Sequence, residues 1–250
     1  MERIPQKRII EKNDEYMSRR DYKGAERHLL YWLEEARLAD DRQGELMVRN
    51  ELVGHYRKTG NKEGAFESAA EALGLLRLLG LEDSESAGTT YVNTATAYNA
   101  FGENELSLAI FKKAREIYEG SENTGHQLLG GLYNNMALTC VALDRFDEAE
   151  ELYDLALRQM ERVKNGELEQ AITLLNMANA VEKKVGLERG EKRISELLET
   201  SRALLDTESI PRNGYYAFVC EKCAPTFLYY GYFADHDELM AQAKEIYERP

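Results

Sequence analysis

The chain has 250 residues, with 45 Asp and Glu against 32 Lys and Arg, which gives a formal net charge of −13. Proteins bind nucleic acids and anionic membranes by neutralising phosphate with lysine and arginine, so this balance argues against both and favours a neutral or basic partner. Three cysteines are too few for a disulfide framework, and no stretch resembles a signal peptide or the ~20 apolar residues of a membrane span. We therefore expect a cytoplasmic protein.

Apolar residues recur at helical spacing along nearly the whole chain and predict pairs of antiparallel helices. No proline lies between Pro5 and Pro211, so no residue forces a break in this helical run. No linker rich in Gly, Ser or Pro interrupts it, and we expect one domain over residues 1–250. The predicted hairpins lie at about 8–40, 43–80, 86–120, 127–164, 167–206 and 213–249.

The fourth pair carries the pattern most clearly. Small Ala149 and Ala156 fall where two antiparallel helices must approach closely. The two apolar stripes, separated by a turn at 143–146, contain Leu129, Leu132, Tyr133, Met136, Ala137 and Cys140, then Ala149, Leu152, Tyr153, Ala156, Leu157 and Met160. Equivalent positions recur about every 42 residues, which predicts stacked helical hairpins.

Large and small apolar residues alternate in these pairs at the offsets of the tetratricopeptide repeat. The residues are Tyr133, Met136, Ala137, Cys140, Ala149, Tyr153 and Ala156, preceded one repeat earlier by Tyr91, Ala95, Tyr98, Ser107, Phe111 and Ala114. The pattern resembles the longer-helix subclass found in kinesin light chains and many bacterial repeat proteins, since its period exceeds 34 residues. The first and last pairs depart from it, with Trp32 at a small-residue position and Pro225 inside a helix.

The resemblance implies an all-α fold, a right-handed α-α superhelix of about six hairpins. It also implies that the first helix of each hairpin lines a concave groove that binds peptides or protein segments. No catalytic activity is implied.

Asn50, Asn93, Asn135 and Asn176 recur at intervals of 43, 42 and 41 residues within otherwise apolar helical segments. Asparagine is unfavourable inside a helix by about 0.5–0.7 kcal/mol relative to alanine, so these four regularly spaced asparagines require an explanation. At 100° per residue, Asn135 points away from the core stripe and into the groove. Its amide could pair with the N–H and C=O of an extended peptide. The alternative is that these asparagines bridge neighbouring repeats.

Other positions on the same helix faces would set specificity. They are Arg57, Val92, Asn99, Asn134, Leu138, Val141 and Asn179, with Thr96, Gly131, Ile172, Leu175 and Glu182 beside them. The groove is predicted to be apolar at its centre, which favours a ligand with apolar anchors. A clamp for a peptide C-terminal carboxylate is not favoured, because Arg57 and Lys58 are followed one repeat later by Asn99 and Ala100.

Cys220 and Cys223 have the spacing of redox and zinc sites, but no second Cys or His pair completes a ligand set. We interpret them as two buried thiols on one helix face. The four histidines share no spacing that would suggest an acid, base or nucleophile constellation. We expect neither a cofactor nor a metal, and no enzyme.

Aromatic residues are concentrated in the last hairpin, where they would either cap the repeat array or form a dimer interface. They are Tyr215, Tyr216, Phe218, Phe227, Tyr229, Tyr230, Tyr232 and Phe233. The leading hypothesis is a scaffold that holds an extended peptide or disordered segment in its groove and acts as a bacterial regulatory or assembly factor. The alternative is a structural protein that self-associates through its aromatic end or groove, and a third hypothesis is an enzyme that uses Cys220 and Cys223.

Overall fold

The computed structural model describes residues 3–249, and within this range it contains twelve α-helices and no β-strand. The predicted all-α fold of antiparallel hairpins is confirmed. Residues 1, 2 and 250, which the single-domain prediction includes, lie outside the described residues. The helices are α1 (Gln6–Ser18), α2 (Tyr22–Leu38), α3 (Arg42–Thr59), α4 (Lys62–Leu79), α5 (Glu85–Ala100), α6 (Asn104–Gly120), α7 (His126–Ala142), α8 (Phe146–Met160), α9 (Glu167–Val185), α10 (Leu187–Leu205), α11 (Gly214–Tyr229) and α12 (Phe233–Tyr247).

The chain divides into two compact units, unit 1 over Met1–Glu122 and unit 2 over Asn123–Pro250. Each unit contains three hairpins, and the two helices of every hairpin pack against each other. Within unit 1, the first helices α3 and α5 also pack side by side, as do α7 and α9, and α9 and α11, within unit 2. This side-by-side packing of first helices gives each unit a face to which successive repeats contribute.

Repeated capping residues begin three of the helices in unit 1. The side chains of Asp21, Asp41 and Asn61 each accept a hydrogen bond from the backbone N–H of the glycine three residues later, at 2.9–3.0 Å. These bonds satisfy N–H groups that a helix leaves without an intrahelical partner. The residue three positions after the capping Asp21 must be glycine, since a Cβ on Gly24 would overlap the Asp21 carboxylate.

The core is distributed among the hairpins. In the first hairpin and α3 it contains Ile9, Leu29, Leu33 and Leu52, with the half-buried Trp32 packed against it. Further along, fully buried alanines allow close helix packing, as predicted for Ala149 and Ala156. Large side chains fill the remaining volume; Phe111, Tyr118, Tyr153, Tyr216 and Phe227 are each at most 2% exposed.

Arginines join helices within each unit. In unit 1 the buried Arg49 of α3 pairs with Glu71 of α4, and Arg37 of α2 lies 3.0 Å from Glu45. In unit 2, Arg202 of α10 lies 2.9 Å from Asp235 and 2.8 Å from Glu238 of α12. The Arg202 contacts attach the last hairpin to α10, so that hairpin has polar as well as apolar contacts with the preceding one.

Candidate protein-binding faces

In unit 1, Asn50 of α3 and Asn93 of α5 are half-buried and lie next to each other. The Asn50 amide donates to the Leu46 carbonyl at 3.1 Å and to the Thr90 hydroxyl at 3.0 Å. The Asn93 amide donates to Asn50 Oδ1 at 3.4 Å. Both hydrogens of the Asn50 amide group are therefore used within the unit, which is the bridging geometry that the sequence left as an alternative.

The other predicted positions in unit 1 lie on the same two helices. Arg57 is exposed in the last turn of α3, and Val92 is half-buried on α5. Asn99 is also half-buried, and its amide donates to Asn104 Oδ1 at 3.1 Å, across the turn that leads into α6. We call the surface formed by α3 and α5 the unit 1 face; its asparagines bond each other, residues of the same two helices or Asn104 of α6.

In unit 2, the Asn176 amide of α9 donates to Asn134 Oδ1 of α7 at 3.0 Å. The 41-residue interval suggested that Asn176 would pair with Asn135. Asn176 pairs instead with the adjacent residue, Asn134. The side chain of Asn135 is half-buried and forms no hydrogen bond with residues 3–249, although its backbone carbonyl accepts from Thr139 at 3.1 Å. Unit 2 thus retains an asparagine amide that its own contacts leave available.

The remaining predicted positions of unit 2 differ in burial. Leu138 and Val141 are half-buried on α7, and Asn179 is exposed on α9. Ile172 and Leu175 belong to the core, at 4% and 3% exposure. The helix α9 contacts α7, α8, α10 and α11, so less of its circumference is left open than the repeat pattern suggested.

Tyrosines of α11 and the following turn reach back to carboxylates of α9. The Tyr229 hydroxyl donates to Glu182 Oε1 at 2.7 Å, and the Tyr230 hydroxyl lies 2.8 Å from Glu182 Oε2 and 3.0 Å from Asn179 Oδ1. The Tyr215 hydroxyl donates to Glu169. The hydrogen bond to Glu182 raises the pKa of Tyr229, and burial together with the same carboxylate raises the pKa of Tyr230. These hydroxyls therefore stay protonated at neutral pH.

Several rings of this surface remain open to solvent. Tyr215, Phe218 and Tyr229 are 46%, 45% and 67% exposed, and their spacing of three and eleven residues puts them on one side of α11. The Tyr229 and Tyr230 rings meet nearly edge to face, with centroids 4.9 Å apart. We call the surface formed by α7, α9, α11 and Tyr230 the unit 2 face; it combines half-buried amides with exposed aromatic rings.

Cys220 and Cys223 are buried on α11, at 0% and 1% exposure, as the sequence interpretation expected. Burial raises the pKa of Cys223 to about 12, so this thiol is neutral at physiological pH. Within residues 3–249 no three His, Cys, Asp or Glu side chains are grouped closely enough to hold a metal ion. No helix in that range is long and apolar enough to cross a membrane.

Comparison with known proteins agrees with this architecture. Residues 128–184 match the tetratricopeptide repeat family model. A search of curated proteins found no match. Among solved structures, BtubC (BKLC) from P. vanneervenii is similar, with a TM-score of 0.59 at 18% identity, covering 92% of this chain and 90% of that one.

TPR-like repeats assigned to a kinesin light chain of Podosopora anserina are similar as well. They give a TM-score of 0.56 at 17% identity and cover 80% of this chain and 94% of that one. The Q17M form of the same repeats gives a TM-score of 0.57 at 17% identity, over 80% and 93%. At these identities the likeness shows a shared fold.

The fold places this chain among the α-helical repeat proteins. Residues 128–184 match the tetratricopeptide repeat model, and the chain as a whole has the fold of the kinesin light chain-like repeats. Tetratricopeptide repeats generally mediate protein–protein interactions.

Proposed function

We propose that this protein is a non-enzymatic scaffold that binds an extended segment of another protein on its first-helix faces. This proposal rests on the unit 2 face. There the side-chain amide of Asn135 on α7 forms no hydrogen bond with residues 3–249, and exposed aromatic rings lie on α11. The two helices are joined through α9, which packs against both. Amides can hydrogen-bond a peptide backbone, and aromatic rings supply contact area, so together they suit an extended chain with apolar anchors.

The expected setting is the cytoplasm, as a regulatory or assembly factor, with no nucleic acid and no membrane as partner. The proposed contact residues in unit 2 are Asn134, Asn135, Leu138, Val141, Asn176 and Asn179. Those in unit 1 are Asn50, Arg57, Val92, Asn93 and Asn99. Bridging does not remove the unit 1 asparagines from this proposal, because each bridging amide oxygen retains acceptor capacity. It does reduce their expected share of the binding free energy.

A double variant tests the proposal directly. In Asn135→Ala/Asn179→Ala, each lost hydrogen bond to a peptide is worth about 0.5–1.5 kcal/mol, so affinity should fall roughly tenfold. The melting temperature should stay the same or rise, because alanine is the better helix former. The Tyr230 hydroxyl loses its contact with Asn179 Oδ1 but keeps the one with Glu182 Oε2. Fluorescence anisotropy with a panel of labelled 12-residue neutral and basic peptides measures the affinity, and calorimetry measures the melting temperature.

Thr200→Ala serves as the control, since Thr200 is an exposed residue of the second helix α10 whose hydroxyl bonds only its own helix. It should leave peptide affinity unchanged. A double variant that melts at a lower temperature yet binds with wild-type affinity would contradict the proposal and assign these amides a structural role.

Self-association is the second candidate, because α12 exposes apolar side chains at helical spacing. Phe233, Met240 and Tyr247 are 64%, 37% and 48% exposed and lie seven residues apart on one side of the helix. If this side joins two copies, light scattering should show a dimer that Phe233→Ser converts to a folded monomer. A monomeric wild-type protein at about 100 times the concentration used for peptide binding would exclude it.

A further inference from the structure

The unit 2 face contains two carboxylates that form no ion pair within the described part of the chain. Glu169 and Glu182 lie on α9 and form no ion pair with any residue in the range 3–249. Their polar partners are tyrosine hydroxyls, which carry no charge. Other carboxylates in helix contacts, such as Glu71 and Asp235, pair with an arginine of the protein.

The cations nearest to this part of the sequence are engaged elsewhere or are too few to compensate. Lys183 follows Glu182, but its ammonium lies 2.8 Å from Asp144 and donates to the Val141 carbonyl at 2.6 Å. Lys222 is exposed on the same side of α11 as Phe218. One lysine against two carboxylates leaves a net negative charge on this surface.

The geometry around Glu182 suits a planar cation. Two tyrosine hydroxyls occupy one acceptor position on each oxygen of Glu182, and a carboxylate offers about four such positions. Tyr229 is 67% exposed, its ring is nearly perpendicular to the Tyr230 ring and its hydroxyl bonds that carboxylate, so exposed aromatic surface lies beside Glu182. A guanidinium can stack on an aromatic ring while it donates hydrogen bonds to a carboxylate, which an ammonium does less well.

We propose that the Tyr229, Tyr230 and Glu182 cluster is a pocket for an arginine side chain of the bound protein segment, with Glu169 and Tyr215 as a second acidic and aromatic contact further along α11. This inference rests on the proposed function, since it names a side chain that the bound segment must carry. It gives the unit 2 face a sequence preference that backbone-directed asparagines alone would not supply.

The test uses the full-length protein and a panel of labelled 12-residue peptides with one central position varied. That position is arginine, lysine or citrulline, where citrulline has the shape of arginine without its charge. We expect the arginine peptides to bind about tenfold more tightly than their citrulline counterparts and about threefold more tightly than the lysine ones. The preference should weaken at 0.5 M NaCl.

Two isosteric variants locate the pocket. Glu182→Gln keeps the tyrosine contacts and removes the charge, so it should reduce the arginine preference to about twofold or less. Glu199→Gln removes one charge from an exposed position of α10 that has no ion pair within the described chain, and it should preserve the preference. Circular dichroism of both variants verifies that the fold is retained.

The outcomes separate this inference from the proposed function. Equal affinity for the arginine and citrulline peptides, or an unchanged preference in Glu182→Gln, would overturn the arginine pocket while leaving peptide binding established. Absence of binding by every peptide in the panel would overturn both.

Discussion

The unit 1 and unit 2 faces derive from the same repeated sequence position but differ in what their polar groups contact. In unit 1, Asn50 and Asn93 bond each other, and the Asn50 amide hydrogens are fully used. In unit 2, the side chain of Asn135 forms no hydrogen bond with residues 3–249, and exposed rings on α11 lie beside the carboxylates of α9. A repeated residue therefore supports packing in one unit and offers binding capacity in the other.

Exposed apolar side chains show the same difference. Among the described residues of unit 1, the large ones that are exposed lie on the second helices α2, α4 and α6, for example Tyr31 and Leu78. In unit 2 they include Tyr215, Phe218 and Tyr229 on the first helix α11. Since exposed aromatic clusters on a soluble surface mark contact sites, unit 2 is expected to contribute most of the binding free energy.

The largest expected effect comes from removing the exposed rings. Phe218→Ala/Tyr229→Ala should weaken peptide binding by about 2 kcal/mol, roughly thirtyfold, because aromatic anchors dominate interface energies. The free energy of unfolding should fall by about 1 kcal/mol or less, since Phe218 and Tyr229 are 45% and 67% exposed. Tyr31→Ala in unit 1 is the control and should bind normally. If anisotropy titrations show that the two variants lose equal affinity for the peptide, the exposed rings of unit 2 contribute no more to binding than Tyr31 of unit 1.

Glycines test how tightly each first helix is packed. A Cβ on Gly88 of α5 would overlap the buried Tyr118 ring, so Gly88→Ala should destabilise the protein by about 1–3 kcal/mol. A Cβ on Gly131 of α7 would meet no atom within 4 Å beyond its chain neighbours and its own helix backbone, so Gly131→Ala should stabilise by up to about 1 kcal/mol. Urea denaturation measures both. Stabilisation by Gly88→Ala would show that α5 and α6 can separate readily.

The asparagines give a smaller contrast. Asn50→Ala removes three hydrogen bonds, including those with Thr90 and Asn93, and should destabilise by about 0.5 kcal/mol after the gain in helix propensity. Asn135→Ala loses no side-chain hydrogen bond and should stabilise by about 0.5 kcal/mol. Denaturation curves of the two single variants should therefore differ by about 1 kcal/mol. If they coincide, the bridge in unit 1 contributes nothing measurable.

The smallest effect concerns Lys222. Replacing this exposed lysine by glutamine removes a cation from the unit 2 face, so affinity for an arginine peptide should rise about twofold at low salt and be unchanged at 0.5 M NaCl. Lys192→Gln, an exposed change on α10, is the matched control. A decrease in affinity would instead indicate that Lys222 contacts the peptide, and that the local charge balance is not what selects the ligand.

Helical periodicity was sufficient to predict the hairpins, because apolar stripes such as that of Leu132, Met136 and Cys140 depend only on local spacing. The register between helices was harder to predict. The interval from Asn135 to Asn176 suggested a pairing, yet Asn176 bonds Asn134, because a one-residue change of repeat length shifts which side chain meets its neighbour.

The tyrosine contacts could not be read from the repeat. Tyr229 and Tyr230 lie 47 and 48 residues from Glu182, outside the period of about 42, because the 206–213 connection precedes α11. Glu182 was among the predicted face positions, but Glu169 was not. A repeat pattern predicts which helices are neighbours and leaves out contacts that a single hairpin makes on its own.

The position of Trp32 has a practical consequence. It is the only tryptophan of the chain and packs on the core of the first hairpin, whereas the proposed arginine pocket lies in unit 2. Tryptophan emission should therefore follow the folding of the N-terminal repeats specifically. Comparing that emission with backbone circular dichroism on the same unlabelled sample shows whether the two units unfold in one cooperative transition or in two. A ligand that stabilises unit 2 would shift the circular dichroism transition more than the emission transition.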